Sequence, residues 1–253
     1  MKLTGNTILI TGGGSGIGRA LAEAFQALGN QVIISGRRKQ ALDETTHANP
    51  GMTSVMLDIE SPESIRTVAA QMAADYPALN VLINNAGIMK MEKIGGQQDL
   101  AVAESIVTTN LLGPIRLTAA LLPVLQKQPY SVVMNVSSGL AFVPLSPTPT
   151  YCATKAAIHS YTQSLRYQLS GTATEILELI PPYVATNLMS GASDPRAMPL
   201  AEFIAEVMEI LKTQSDATEI CVARVRGLRS AAENGNYDAV FNGLNASMTG
   251  ENL

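Results

Sequence analysis

Thr7-Ile8-Leu9-Ile10-Thr11-Gly12-Gly13-Gly14-Ser15-Gly16-Ile17-Gly18 is the stretch whose reading decides the fold. Thr7 to Ile10 is a short run rich in β-formers and stopped by glycines, the pattern of a buried strand. From Gly16 a helix is predicted, with Ala20, Leu21, Ala24, Phe25 and Leu28 on its inner face. The glycines between them permit a tight turn and close approach of a ligand to the backbone. A helix N-terminus adds unpaired amides and the positive end of its dipole, so a pyrophosphate fits at this turn. The spacing is Gly12-x-x-x-Gly16-x-Gly18, not the Gly-x-Gly-x-x-Gly of longer dinucleotide-binding enzymes.

Outward from this unit, strands and helices alternate. Gly29 stops the first helix, and Gln31 to Ser35 is a second strand followed by Gly36-Arg37-Arg38. A helix from Lys39 to His47 leads through Pro50-Gly51 to a strand at Thr53 to Leu57, which ends at Asp58-Ile59. Ser61-Pro62 starts a helix with Ser as cap and Pro in the first turn, and Ile65, Val68, Ala69, Met72 and Ala73 mark its buried face. Asn80 to Ile83 is the fourth strand, followed by the small-residue turn Asn84-Asn85-Ala86-Gly87. A long helix is expected from Asp99 to Gln126 with a kink at Gly113-Pro114. Strands at Ser131 to Val136, Ile176 to Ile180 and Glu219 to Val222 complete the set, with helices from Tyr151 to Leu169, from Leu200 to Leu211 and through Tyr237 and Phe241. The alternation predicts an α/β fold, a doubly wound parallel sheet of about seven strands with helices on both faces, as a single domain over 1–253.

Bulk properties narrow the function. The 253 residues are 46% hydrophobic and 15% charged, as in a globular domain with a sizeable core. A formal net charge of -4 and a pI near 5.3 give no general attraction to nucleic acid or anionic membranes, and neither is expected as a partner. No run approaches the apolar length of a membrane span, and Ile8-Leu9-Ile10 is too short for a signal-peptide core. Cys152 and Cys221 are too few for a disulfide framework, so a cytoplasmic location is the default. His47 and His159 stand apart without an acidic cluster, and no metal is expected.

The chemistry concentrates in Tyr151-Cys152-Ala153-Thr154-Lys155. On a helix, the phenol and the ammonium lie on one face. A neighbouring Lys favours the phenolate and is expected to lower a pKa that is about 10 when unperturbed, making Tyr151 a general acid and base. Thirteen residues upstream, Ser138 ends the apolar run Val132 to Val136. Leu140 to Leu145 form an apolar loop beside it, a candidate pocket wall.

With Thr11-Gly12-Gly13-Gly14-Ser15-Gly16-Ile17-Gly18, Asn84-Asn85-Ala86-Gly87, Asn110, Ser138, Tyr151 and Lys155 in this order, the chain resembles the short-chain dehydrogenases/reductases over almost its whole length. Within that family Ser137 to Pro144, Pro181 to Thr186 and Tyr237 to Phe241 are similar to the DltE-type oxidoreductases. The resemblance implies a Rossmann-type sheet and an oxidoreductase of alcohol/carbonyl pairs. It implies catalytic roles for Tyr151 as proton donor, Ser138 on the substrate oxygen, Lys155 beside the nicotinamide ribose and Asn110 distorting its helix and holding a relay water. Gly12, Gly14, Ser15, Gly16, Ile17 and Gly18 would hold the dinucleotide, with Asp58 and Ile59 at the adenine, Asn85, Ala86 and Gly87 beyond the fourth strand, and Val184 and Thr186 at the carboxamide. Gly36 replaces the acid that would bind a ribose 2′-hydroxyl and Arg37 follows, the pattern of NADP(H)-preferring members, with NAD(H) possible. Arg37 and Arg38 as solvated charges remain an alternative, and no basic residue lies inside the glycine loop. Pro182 departs from the family's Pro-Gly and removes a backbone donor.

Residues 186–215 would form a substrate lid, and Leu140, Phe142, Tyr183 and Met189 an apolar pocket. The family's usual homodimers and homotetramers would use the helices around 100–126 and 151–169. Two other readings stand beside this one, an NAD-dependent alcohol dehydrogenase of the same family and a non-catalytic NADP-sensing regulator.

Overall fold

The computed structural model describes residues 1–95, 100–189 and 194–249. Asp99, the expected start of the long helix, and Gly191 and Ser193 of the expected lid lie outside the described residues. Strands β1 (Thr7–Thr11), β2 (Gln31–Gly36), β3 (Thr53–Met56), β4 (Val81–Asn84), β5 (Ser131–Val136), β6 (Thr174–Ile180) and β7 (Glu219–Cys221) form one sheet in the order β3-β2-β1-β4-β5-β6-β7. Every pairing is parallel. All residues of β1, β4 and β5 are buried, because helices cover the central strands on both faces. The chain builds outward in one direction from β1 to β3 and in the other from β4 to β7, so the crevice between the β1 and β4 ends is the topological switch point where such sheets bind ligands.

The period of two in β1 divides the core. Ile8 and Ile10 face a cluster with Phe25, Val32 and Phe203, whereas Leu9 faces Ile33, Met72, Leu82 and Leu117. Phe25 and Phe203 have no exposure, and truncating either to Ala would cost about 3–5 kcal/mol. At the amino edge of the sheet, asparagines tie three strands together. Asn80 Nδ2 donates to Asn6 Oδ1 at 3.0 Å, the Asn6 amide donates to Asn30 Oδ1 at 3.0 Å, and the Thr7 amide donates to Asn80 Oδ1 at 2.9 Å.

Helices α1 (Gly16–Ala27), α2 (Lys39–Ala48) and α3 (Pro62–Asp75) follow the first three strands. The expected long helix is α4 (Leu100–Val107) and α5 (Gly113–Leu125), joined by a π-helical segment at Thr108–Leu112. The distortion therefore begins earlier than the expected kink at Gly113-Pro114. Pro114 has no amide for the Asn110 carbonyl four residues before it, and the Gly113 amide reaches back five residues to the Thr108 carbonyl. The helical path Leu100–Leu125 has 26 residues and a mean hydropathy of 1.3 over its most apolar stretch, which corrects the expectation that no segment has the length and apolarity of a membrane span. Leu117, Leu121 and Leu125 are wholly buried in the core, where α5 packs on α3.

After β5 come α6 (Pro149–Gln168), β6, α7 (Leu200–Thr213), β7, the single turn α8 (Arg226–Arg229) and α9 (Tyr237–Thr249). Asn245 on α9 accepts from the Ser146 amide at 2.7 Å and donates to the Pro144 carbonyl at 3.2 Å, which ties the C-terminal helix to the loop before Tyr151.

Candidate active site

The turn after β1 is shaped by glycines at two points. Gly12 has φ +69°, a left-handed conformation that favours glycine. A Cβ on Gly18 would lie 2.5 Å from the Gly12 carbonyl oxygen, so helix and turn could not approach as they do. Ser15 occupies the N-cap of α1 but makes no capping bond, and its Oγ instead accepts from Arg38 Nη2 at 3.0 Å. Among the described residues the first-turn amides of α1 thus have no side-chain acceptor, and a guanidinium stands beside them. This donor set fits an anionic pyrophosphate. Thr186 faces the same turn, 3.5 Å from where a Cβ on Gly16 would be, while Val184 is buried in a bridge to Met198.

Thr11 joins this turn to the one after β4. Its Oγ1 accepts from the amides of Asn85 at 3.0 Å and Ala86 at 2.9 Å, and Asn85 Nδ2 donates to the Thr11 carbonyl at 2.9 Å. Asn85 and Ala86 therefore stand beside Gly12 at the switch point. Asp58 and Ile59 follow β3, with Asp58 exposed and accepting from the Glu60 amide at 3.1 Å.

Arg37 and Arg38 take different partners. Arg37 Nη1 bonds Glu60 Oε1 at 3.1 Å, so Arg37 faces the end of β3 in an ion pair, and Arg38 rather than Arg37 reaches the glycine turn. Glu60 Oε1 also accepts from Thr109 Oγ1 at 2.7 Å and Ser105 Oγ at 3.3 Å.

Ser138, Tyr151, Lys155 and Asn110 are each at least nine-tenths buried and come from three different elements. Lys155 Nζ donates to the Val136 carbonyl at 2.8 Å and lies 5.6 Å from the centroid of the Tyr151 ring. A Cβ on Gly87 would lie 3.3 Å from Asn110 Oδ1 and 3.8 Å from Lys155 Nζ, which places both at the turn after β4. Ser138 Oγ accepts from the Leu140 amide at 3.1 Å, and its hydroxyl hydrogen-bonds the Tyr151 phenol.

The electrostatics correct one expectation. Burial holds the Tyr151 phenol above its usual pKa, and hydrogen bonding to Ser138 offsets this only in part. Burial also lowers the Lys155 ammonium to about 8, with the negative charge of Glu178 opposing the shift. Desolvation outweighs the expected Lys–phenol attraction because both groups are enclosed by protein.

Asn110 lies within the π-helical segment, where a distortion of its helix was expected. Its Oδ1 accepts from the Ile88 amide at 2.9 Å, and its Nδ2 donates to the Ile88 carbonyl at 2.8 Å and to Thr154 Oγ1 at 3.3 Å. The side chain latches the π-helical segment to the loop after β4. Phe142, expected in the pocket wall, instead packs edge-to-face on His159 at 4.7 Å and under the Arg229 guanidinium at 4.7 Å, whereas Leu140 packs with Tyr151 and Cys152.

Three residues that sequence reasoning did not single out shape the site. Thr11 was readable only as part of a motif. Glu92 accepts from the Thr150 amide at 3.0 Å and Thr150 Oγ1 at 2.7 Å, holding the first turn of α6 immediately before Tyr151. Glu178, with no exposure, bonds Ser137 and His159, and its place as a lone carboxylate inside Ile176 to Ile180 was the overlooked signal.

Comparison with known proteins gives four further findings. The model of the short chain dehydrogenase family matches residues 6–197. The chain is 39% identical over 251 residues to "Uncharacterized oxidoreductase DltE" of Bacillus subtilis (strain 168), covering 97% of this chain and 98% of that one. It superposes with a TM-score of 0.81 and 24% identity on a short chain dehydrogenase from Burkholderia cenocepacia J2315 in complex with NADP, over 96% of this chain and 99% of that one. A short chain dehydrogenase/reductase from Burkholderia phymatum in complex with NAD superposes with a TM-score of 0.80 and 18% identity, over 94% and 96% of the two chains.

Proposed function

Because the chain belongs to the short chain dehydrogenase family and is an NAD(P)-dependent short-chain oxidoreductase, we propose that it interconverts an alcohol and a carbonyl compound with NADP(H), using Tyr151 as general acid and base. The observation that carries this reading is the convergence of Ser138, Tyr151, Lys155 and Asn110 beside Gly87, next to a glycine turn whose helix amides lack a side-chain acceptor. A nicotinamide dinucleotide held there supplies or accepts the hydride. Tyr151 Oη gives its proton to the substrate oxygen in reduction and takes it back in oxidation. Ser138 Oγ donates a hydrogen bond to that oxygen, and so stabilises the charge that develops on it. Lys155, with a pKa of about 8, carries its proton at neutral pH and favours the phenolate that remains. With the Asn110 side chain latched to Ile88, a relay water would be held by the Asn110 carbonyl, which Pro114 leaves without its usual amide.

Gly36 in place of a carboxylate, together with Arg37 and Arg38, supports a preference for the 2′-phosphate of NADP(H), the cofactor in the Burkholderia cenocepacia relative. NAD(H) is the second reading, favoured by the Glu60 carboxylate that already engages Arg37. We further propose that 186–215 acts as the lid within this single domain. Tyr183 Oη donates to Asp194 at 3.2 Å, and Arg196 bonds both Asp194 and the Ser247 carbonyl of α9, a fastening for the far end of such a lid. Leu140, Tyr183 and Met189 suit an apolar substrate. Leu100 at 62% and Tyr167 at 84% exposure support a homodimer or homotetramer through α4, α5 and α6, and two unpaired cysteines support a cytoplasmic location.

The test is a carbonyl-compound panel assayed with NADPH and NADH, repeated with Tyr151→Phe. Turnover is expected to fall about 10²-fold or more in the variant while nucleotide affinity is retained. Equal turnover of variant and wild type would overturn the mechanism.

A further inference from the structure

Glu178 is a carboxylate with no exposure in the middle of β6, and the reaction as described does not use it. An ionised carboxylate is tolerated in such a place only when it is hydrogen-bonded and paired. Its Oε1 accepts from Ser137 Oγ at 2.5 Å, and its Oε2 meets His159 Nδ1 at 2.8 Å. The bonds place it directly behind the reacting groups. Ser137 is the residue between Val136, whose carbonyl holds Lys155, and Ser138.

The charges around it form one connected set. His159 comes from α6, as do Tyr151 and Lys155; Glu219 and Cys221 come from β7, and Arg226 and Arg229 from α8. Glu219 is opposite Glu178 in the β6–β7 register and is taken up by Arg229 at 2.7 and 3.2 Å. Although His159, Glu178 and Glu219 offer ligand atoms within 4.8 Å of one another, Arg229 supplies the cation for Glu219, and Ser137 and His159 occupy the Glu178 oxygens. The cations that α6 turns toward this strand are the Lys155 ammonium, which burial pulls down and Glu178 supports, and the Arg166 guanidinium, which donates to the Ile176 and Thr218 carbonyls.

We propose that Glu178 is a positioning residue for the reaction: through Ser137 it fixes the peptide that presents Ser138, and it provides the buried negative charge that keeps Lys155 an ammonium. This rests on the reading of Ser138, Tyr151 and Lys155 as the reacting set. Glu178 touches none of the reacting atoms and acts through its two neighbours on β5 and α6.

The test follows Lys155 itself by NMR, with lysine labelled at Cε and the signal assigned by its loss in Lys155→Met. In Glu178→Gln the Lys155 midpoint is expected to move down by about one pH unit, as for loss of a close opposite charge. Glu178→Asp, which keeps the charge, should restore most of that displacement, an effect that general loosening of the core would not produce. In the wild type, where no substitution can disturb folding, the labelled Glu178 carboxyl carbon should show an inflection at the Lys155 midpoint that vanishes in Lys155→Met. An unmoved Lys155 midpoint in a folded Glu178→Gln protein, or a Glu178 signal that is flat through that midpoint, overturns the proposal. Neither titration uses nucleotide or substrate, so failure here is distinct from failure to find turnover.

Discussion

Replacing Thr11 by Val tests how the two turns of the nucleotide site are joined. The substitution keeps the β-branched shape of a side chain that is 2% exposed and removes only the hydroxyl. Two amides, those of Asn85 and Ala86, then lose their acceptor. A wholly buried amide left unpaired costs about 1–3 kcal/mol. Asn85 and Ala86 are only partly buried, so the low end applies, and the two together give about 2 kcal/mol. For a domain of this size, 1 kcal/mol corresponds to roughly 2–4 °C, so the expected fall in Tm is about 4–8 °C. Thr11→Ser keeps the acceptor and loses one buried methyl, at about 1 kcal/mol or less. Thermal melts of the three proteins, with and without NADPH, are the assay. Thr11→Val should be the least stable and should also gain least from the nucleotide, because the Asn85–Gly87 turn has lost its anchor. A Thr11→Val protein as stable as Thr11→Ser, with undiminished stabilisation by NADPH, would refute the reasoning.

Three other outcomes are expected. In NADPH and NADH titrations followed by nicotinamide fluorescence, Arg38→Ala should weaken binding of both nucleotides, since it removes the cation beside the glycine turn, whereas Arg37→Ala should weaken NADPH alone; identical losses for both nucleotides in Arg37→Ala would exclude it from 2′-phosphate recognition. Burial lowers the Lys155 pKa to about 8 from its ordinary 10.5, so between these the unfolded chain binds more protons and stability rises with pH, by up to about 3 kcal/mol; urea melts at pH 8 and pH 10 should show this gain in wild type relative to Lys155→Met, and equal slopes would contradict it. Glu92→Gln weakens the carboxylate hold on the first turn of α6 and should lower stability by about 1 kcal/mol, measured as the urea midpoint at an unchanged m-value.

Local pattern carried the sheet. β1, β2 and β5 were readable because buried parallel strands are continuous runs of Val, Ile and Leu between glycines and polar turns, and the register then follows from the right-handed strand–helix–strand units. Catalytic positions were readable where two groups share one helix, as Tyr151 and Lys155 do. What escaped the sequence depends on contacts between distant segments. Glu60 and Thr109 are separated by 49 residues, and Asn110 and Ile88 by 22, so neither the diversion of Arg37 nor the Asn110 latch has a local signature. The Tyr151 pKa was misjudged for a related reason, since helical spacing reveals the neighbouring charge but not the enclosure that outweighs it. Glu178 differs from these, because a carboxylate flanked by Ile176, Leu177, Leu179 and Ile180 demands a partner even before the partner is known.

The asparagines that tie β1, β2 and β4 lie at the opposite rim of the sheet from Thr11, Ser138 and Lys155. Five residues of β1 separate the two rims by about 16 Å, beyond the range over which substitutions usually couple. One rim therefore closes the architecture while the other is free to vary its loops. Substitutions placed one at each rim should add without interaction, and remodelling of 140–145 or of the Tyr183 segment for a different substrate leaves the asparagine rim untouched.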